Sequence, residues 1–204
     1  MTGASGTAQR AAFLDRDGVI NIDHGYVSRW EDFEFVPGAI DAMCRLHDAG
    51  YALVVVTNQS GIARGMYTEQ DFQTLTAQMC QHLAQQGAPV AGVFHCPHHP
   101  RGRLPAYALD CACRKPQPGL LLQAIDQLAL APTGSLLVGD KLSDLQAARA
   151  AGVRTAYLIT GKDGEEEAAT AGDIPPDGVF GSLADCIDAL LGPAPESLQP
   201  TSSR

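Results

Sequence analysis

The sequence predicts an α/β protein built on a mainly parallel sheet. Apolar runs alternate with amphipathic helical stretches along the chain. The runs are apolar at every position, as strands covered by helices on both faces are. Three polar clusters, DRDG, TNQSG and GDKLSD, each follow directly on such a run. Open α/β sheets bind ligands beyond the carboxyl ends of their strands, so the three clusters are expected together on one edge.

The elements follow in order. Ala11–Leu14 is a short apolar strand ending on Asp15, and Pro37–Ala49 reads as a helix with Ile40, Met43 and Leu46 on one face and Gly50 as its stop. Tyr51–Val56 (YALVVV) is a strand buried on both faces, and Thr68–Gln86 is a long helix opened by Thr68 and Glu69. Val90–His95 is a further strand. Residues 97–118 carry Pro, Arg and clustered Cys and His without periodicity, and a loop that long is functional or pinned. Gly119–Leu130 is helical, Ser135–Val138 a strand ending on Gly139-Asp140, Leu142–Ala151 a helix and Val153–Ile159 a strand. Lys162–Gly178 reads as an acidic loop and Leu183–Leu191 as the last helix.

At 204 residues the chain suits one domain, and 45% apolar with 18% charged residues is globular rather than disordered composition. Residues 1–10 and 192–204 are expected to be a disordered head and a flexible tail around a domain spanning 11–191. The net charge of −9 argues against nucleic acid as a partner. It leaves room for a small anionic substrate, because local cations and a metal outweigh the global field. No run approaches the ~18–20 apolar residues of a membrane span, and the first ten residues lack the pattern of a secretory leader. The cytoplasm is the expected compartment, where six cysteines point to metal binding or core packing rather than disulfides.

Asp15-Arg16-Asp17-Gly18 places two carboxylates at i and i+2, on one face of a strand end, and Asp140 and Asp144 add more from another. Such oxygens suit Mg²⁺; alone, Asp-x-Asp-Gly is also a common solvated turn. An EF-hand is excluded because Val19 stands where an oxygen ligand is required. Thr57-Asn58-Gln59-Ser60-Gly61 offers a hydroxyl and backbone N–H groups as a phosphate cradle, or simply a capped turn. Arg114-Lys115-Pro116 supplies two cations suited to a phosphoryl group, although adjacent Arg and Lys are more often a solvated pair. Cys96-x-His98, twelve residues, then Cys111-x-Cys113 is a ligand set for a closed, structural Zn²⁺ site, with His95 and His99 as alternative ligands. Zinc would pin the long loop at 96–113. Cys44, Cys80 and Cys186 lie in helical patterns and read as buried small apolar residues.

Taken jointly, LDRDG, TNQSG, the lysine of CRKP and GDKLSD resemble the haloacid-dehalogenase (HAD) superfamily of phosphotransferases over about residues 11–161. The zinc loop resembles the subgroup of heptose bisphosphate and histidinol phosphate phosphatases. DHGYV, FEFVPGAIDAM, VVVTNQSGIARG, CPHHP and VGDKLSDLQAA are closer to the heptose branch. The resemblance implies a Rossmann-like three-layer α/β/α fold with a zinc-stabilised loop and no large cap domain. It implies removal of one phosphate from a sugar bisphosphate through an aspartyl-phosphate, serving ADP-heptose and lipopolysaccharide synthesis. Asp15 then corresponds to the nucleophile and Asp17 to the general acid–base. Thr57 and Lys115 correspond to the groups holding the transferring phosphoryl. Asp15, the backbone carbonyl of Asp17, and Asp140 correspond to the Mg²⁺ ligands. Asp23, His24, Gly25, Tyr26, Asn58, Gln59, Ser60, Arg114 and Lys141 correspond to substrate-binding positions. The expected partner is a phosphorylated sugar, with no nucleic acid or membrane, and the chain is expected to be a monomer. Histidinol phosphate or another small phosphate monoester is the rival substrate. An inactive scaffold with a docking zinc loop is disfavoured by the presence of both Asp15 and Lys115.

Overall fold

A computed structural model of the protein describes residues 8–160 and 174–194. Six parallel strands form one open sheet: β1 (Gln9–Leu14), β2 (Ala52–Asn58), β3 (Val90–Cys96), β4 (Leu130–Gly139), β5 (Thr155–Ile159) and β6 (Gly178–Phe180), in the order β3-β2-β1-β4-β5-β6. The alternation of side chains along the central strands splits the interior in two. Ala12, Leu14, Leu53 and Val55 face α1 (Ala39–Asp48), α3 (Glu69–Gln85) and α6 (Leu183–Leu191), packing on Met43, Leu46, Leu75, Met79 and Ile187. Ala11, Phe13, Val54 and Val56 face α4 (Gly119–Gln127) and α5 (Leu142–Ala150), packing on Leu120, Leu121, Leu145 and Ala148. The expected three layers are therefore present, and α2 (Ser60–Arg64) is a single short turn between β2 and α3. No helix among the described residues is long and apolar enough to cross a membrane.

Several boundaries differ from the expectation. Residues 9 and 10 belong to β1 rather than to a disordered head, because Gln9 and Arg10 pair with Leu130 and Ala131. Arg10 is also held by the carbonyl of Ala49 at 2.7 Å and lies 4.0 Å over the ring of Tyr51. The expected helix through Leu130 ends at Gln127, where Ala129 turns with φ 50, and β4 begins at Leu130. Cys44 and Cys80 are only partly buried, unlike Cys186; the Cys44 thiol donates to the Gln86 carbonyl at 3.2 Å. Most of the acidic loop and of the tail lies outside the described residues.

The segment 97–118 connects β3 to α4. It is fastened to the end of α2 through the carbonyl of Ala63, which accepts from the amides of Arg103 at 2.7 Å and Leu104 at 3.0 Å. The turn that carries Ser60 and the loop that carries Arg114 and Lys115 are thereby tied together.

Candidate active site

The three polar clusters do meet beyond the carboxyl ends of β1, β2 and β4. They open into a cavity of about 610 Å³ lined by Asp15, Asp17, Thr57, Lys115 and Lys141 among others. Gly18 closes the first turn in a left-handed conformation (φ 85), and a Cβ there would lie 2.6 Å from Asp140 Oδ2, so only glycine lets the DRDG turn seat against Asp140.

At the floor, Lys115 is almost fully buried. Its Nζ ion-pairs with Asp15 at 3.0 Å and Asp144 at 2.6 Å and donates to the Val56 carbonyl at 2.8 Å. Burial alone would lower the pKa of this amine, but Asp144 and Asp15 outweigh it and hold the ammonium above its ordinary value. Asn58 fixes the backbone at this point: its Oδ1 accepts from the Lys115 amide at 3.1 Å and its Nδ2 donates to the Lys115 carbonyl at 3.0 Å. Asn58 lines the cavity, but its amide is committed to Lys115 rather than free for substrate, as the sequence had suggested.

Carboxylate oxygens of Asp15, Asp140 and Asp144 lie within 4.8 Å of one another. Burial, and then the negative charge of Asp15, push the Asp140 carboxyl up to about 7, with Lys141 at 2.9 Å opposing the shift. The buried Asp140 Oδ1 has no hydrogen-bond partner. A crowded, partly orphaned set of hard oxygens fits a divalent cation such as Mg²⁺. Asp144, offered as a metal carboxylate by the residue pattern but absent from the ligand set that the resemblance implies, belongs to this group. Besides its pair with Lys115, it accepts the Lys141 amide at 3.0 Å at the start of α5. The Asp17 side chain turns away from this group, toward Arg16, Asn21 and Gln59.

At the rim stand Asp23, Gly25, Tyr26, Ser60, Arg114 and Lys141. The Gly25 amide donates to Asp23 Oδ1 at 2.8 Å, which shapes this loop. His24 is the exception among the expected contacts. It faces a neighbouring hollow and pairs with Glu34 at 3.2 Å, since consecutive loop residues cannot all point inward. Gln59 lines the cavity yet is 2% exposed, held behind Thr57. Gly61, Tyr67, Pro116, Ser143 and Asp144 also line the cavity and were not singled out as substrate contacts. Gly61, Pro116, Ser143 and Asp144 lie within the TNQSG, CRKP and GDKLSD motifs already read from the sequence; Tyr67 arrives through tertiary packing.

Behind the rim, Cys96, His98, Cys111 and Cys113 converge. Their ligand atoms are separated by 3.5 Å (Cys96–Cys111), 3.1 Å (Cys96–Cys113), 3.3 Å (Cys111–Cys113) and 3.4 Å (His98–Cys113). These sulfurs are free thiols, far beyond the ~2.05 Å of a disulfide, and close to the ~3.5–3.8 Å edges of a tetrahedron with zinc bond lengths. Burial raises the pKa of the Cys96 and Cys113 thiols. At Cys111 burial also pushes upward, but hydrogen bonds, the one from Cys113 foremost, overcome it and lower the pKa. The alternative ligand His95 packs instead against Phe72, ring centroids 4.2 Å apart and tilted by 33°, and His99 contacts Arg64 at 3.3 Å.

This fold, with paired aspartates, a threonine and a buried lysine meeting at the strand ends, is that of the HAD-like hydrolases. A family model described as "HAD-hyrolase-like" matches residues 112–186. The D-glycero-beta-D-manno-heptose-1,7-bisphosphate 7-phosphatase of Salmonella typhi is 52% identical over 181 residues, covering 88% of this chain and 94% of the relative. That of Photorhabdus laumondii is 49% identical over 183 residues, covering 89% and 95%. A crystal structure of D,D-heptose 1,7-bisphosphate phosphatase from B. bronchiseptica, complexed with magnesium and phosphate, superposes with a TM-score of 0.77 at 34% identity, covering 89% of this chain and 98% of that one. The chain belongs to the D-glycero-beta-D-manno-heptose-1,7-bisphosphate 7-phosphatase family, and so to the phosphate-ester hydrolases.

Proposed function

We propose that the protein removes the 7-phosphate of D-glycero-β-D-manno-heptose 1,7-bisphosphate, leaving heptose 1-phosphate. The observation that carries this reading is that one cavity holds two separate sets of cations. Lys115 lies at the floor beside Asp15, and Arg114 and Lys141 stand at the rim. A bisphosphate needs one set for the phosphoryl group in transfer and another for the phosphate that stays. Among the described residues Arg114 has no carboxylate partner; its Nη1 donates to the His98 carbonyl at 3.2 Å.

Asp15 attacks phosphorus as the bond to the sugar oxygen breaks. Asp17 delivers a proton to that departing oxygen, then takes one from the water that hydrolyses the aspartyl-phosphate and releases inorganic phosphate. Lys115 and the Thr57 hydroxyl hold the non-bridging oxygens, where charge must be stabilised in transfer. Asp15, the Asp17 carbonyl and Asp140 would hold Mg²⁺, with Asp144 beside them. When bound, the ion offsets the repulsion between a carboxylate and a phosphate dianion. Cys96, His98, Cys111 and Cys113 would hold a structural Zn²⁺, which when bound would fix the loop leading into Arg114 and Lys115. We assign the enzyme to the cytoplasm as a monomer whose zinc loop serves as the wall of the pocket. ³¹P NMR of the reaction in Mg²⁺ tests the assignment. The C7 phosphate resonance is expected to disappear while the C1 resonance persists; loss of the C1 phosphate first refutes it.

A further inference from the structure

Asp17 is gripped from several sides. Its Oδ1 accepts from Arg16 Nη2 at 2.9 Å and Asn21 Nδ2 at 3.1 Å, and its Oδ2 from Arg16 Nη2 at 3.0 Å and Gln59 Nε2 at 2.9 Å. The Gln59 amide is wholly committed. Nε2 also donates to Thr57 Oγ1 at 2.9 Å, and Oε1 accepts from the buried hydroxyl of Tyr67. We propose that Tyr67 and Gln59 are positioning residues that set the direction of a hydrogen-bond chain running through both Asp17 and Thr57. This inference rests on the roles given above to those two residues.

A carboxamide can turn end for end at little steric cost, and only its partners decide which end faces where. The Tyr67 hydroxyl donates to Oε1 and thereby keeps Nε2 toward Asp17 and Thr57. A reversed amide would set its carbonyl oxygen against the Asp17 carboxylate. Burial raises the pKa of the phenol, so it keeps the proton it donates. Because Thr57 Oγ1 already accepts from Gln59, its own proton is free to point at a phosphoryl oxygen in the cavity. One phenol thus orients one amide, and that amide fixes a proton-transferring carboxylate and a phosphoryl-binding hydroxyl together. Gly61 is part of the device: a Cβ there would lie 2.1 Å from the Tyr67 ring, so the last residue of TNQSG makes room for the phenol.

The test compares leaving groups. A sugar alkoxide needs the proton from Asp17, whereas p-nitrophenolate departs without one. In the metal-loaded enzyme, Tyr67→Phe should lower kcat/KM for heptose 1,7-bisphosphate by about 10- to 100-fold, the scale of a displaced catalytic group. Its kcat/KM for p-nitrophenyl phosphate should fall at least about tenfold less, because both esters share the Thr57 contact but only the sugar ester needs the leaving-group proton. Gln59→Glu, of nearly the same shape but with an oxygen in place of the amide donor, should show the same bias and serves if Tyr67→Phe does not fold. Equal losses on the two substrates, or no loss, overturn the chain. Asp17→Asn is the control. If it also lacks the bias, the role of Asp17 is what fails; if it shows the bias and the Tyr67 and Gln59 variants do not, the positioning inference alone fails.

Discussion

Lys115→Met removes what is, among the described residues, the only ammonium at the cavity floor, while keeping the length of its aliphatic stem. Asp15 and Asp144 lose a partner at 3.0 Å and 2.6 Å, and Asp140 lies in the same carboxylate cluster. The Val56 carbonyl also loses its donor at 2.8 Å. Removing one member of a buried ion pair costs about 3–5 kcal/mol, because the remaining charges stay desolvated and unpaired. For a domain of this size that lowers Tm by about 6–20 °C, at about 2–4 °C per kcal/mol. Since the two carboxylates hold the Lys115 ammonium above its ordinary pKa of 10.5, its stabilisation is complete at lower pH and is lost only as pH rises through the raised value. Lys115 itself therefore stays charged from about pH 7 to 9, and the variant should melt below wild type throughout that range. Turnover should fall at least ~10²–10³-fold, the loss usual for one preorganised group at a developing oxyanion. Thermal melts across that pH range and phosphate-release assays on the same preparations check both numbers. A variant that melts within ~2 °C of wild type, or keeps turnover within ~10-fold, would refute the role given to this lysine.

Three further outcomes follow from the same geometry. Asp17→Asn should cut kcat by about 10²–10⁴-fold with KM within a few-fold, measured by steady-state kinetics, because the variant binds phosphate but cannot move the proton. Burial and Asp15 raise the Asp140 carboxyl from 3.8 to about 7, so its ionisation opposes folding increasingly between those values. In Mg²⁺-free buffer Asp140→Asn should therefore match wild type near pH 4 and be the more stable at pH 8, by up to about 4 kcal/mol in urea unfolding. A variant less stable than wild type at pH 8 contradicts this. Cys113→Ser should lose bound zinc by metal analysis. It should also lose most activity, because Cys113 directly precedes Arg114 and Lys115; a zinc-free variant with full activity would separate the loop from the site.

Much of this architecture was legible in the sequence where local chemistry and tertiary environment agree. YALVVV could be read as a doubly covered strand because both faces of β2 are buried. The meeting of DRDG, TNQSG and GDKLSD follows from parallel strands alone. The Cys-x-His and Cys-x-Cys pairs meet as a four-residue cluster able to hold a metal ion. Less could be read where length or distance removes the signal. β6 is three residues at the sheet edge, and α2 is five residues within a glycine-rich turn. The apolar run through Leu128 and Leu130 hides a helix end that Ala129 makes with a positive φ. The resemblance implied substrate contacts at Asn58 and Gln59; only the fold shows that their amides serve Lys115 and Asp17. Tyr67 sits eight residues beyond Gln59, and no periodicity announces that its hydroxyl returns to it.

The central claim is that the rim cations and the floor together select a sugar bisphosphate. Steady-state phosphate release in Mg²⁺, with heptose 1,7-bisphosphate against histidinol phosphate, tests it most directly. The account predicts a kcat/KM at least ~100-fold higher for the bisphosphate, about 2.7 kcal/mol of transition-state discrimination. A preference for histidinol phosphate, or equal use of the two, would contradict it.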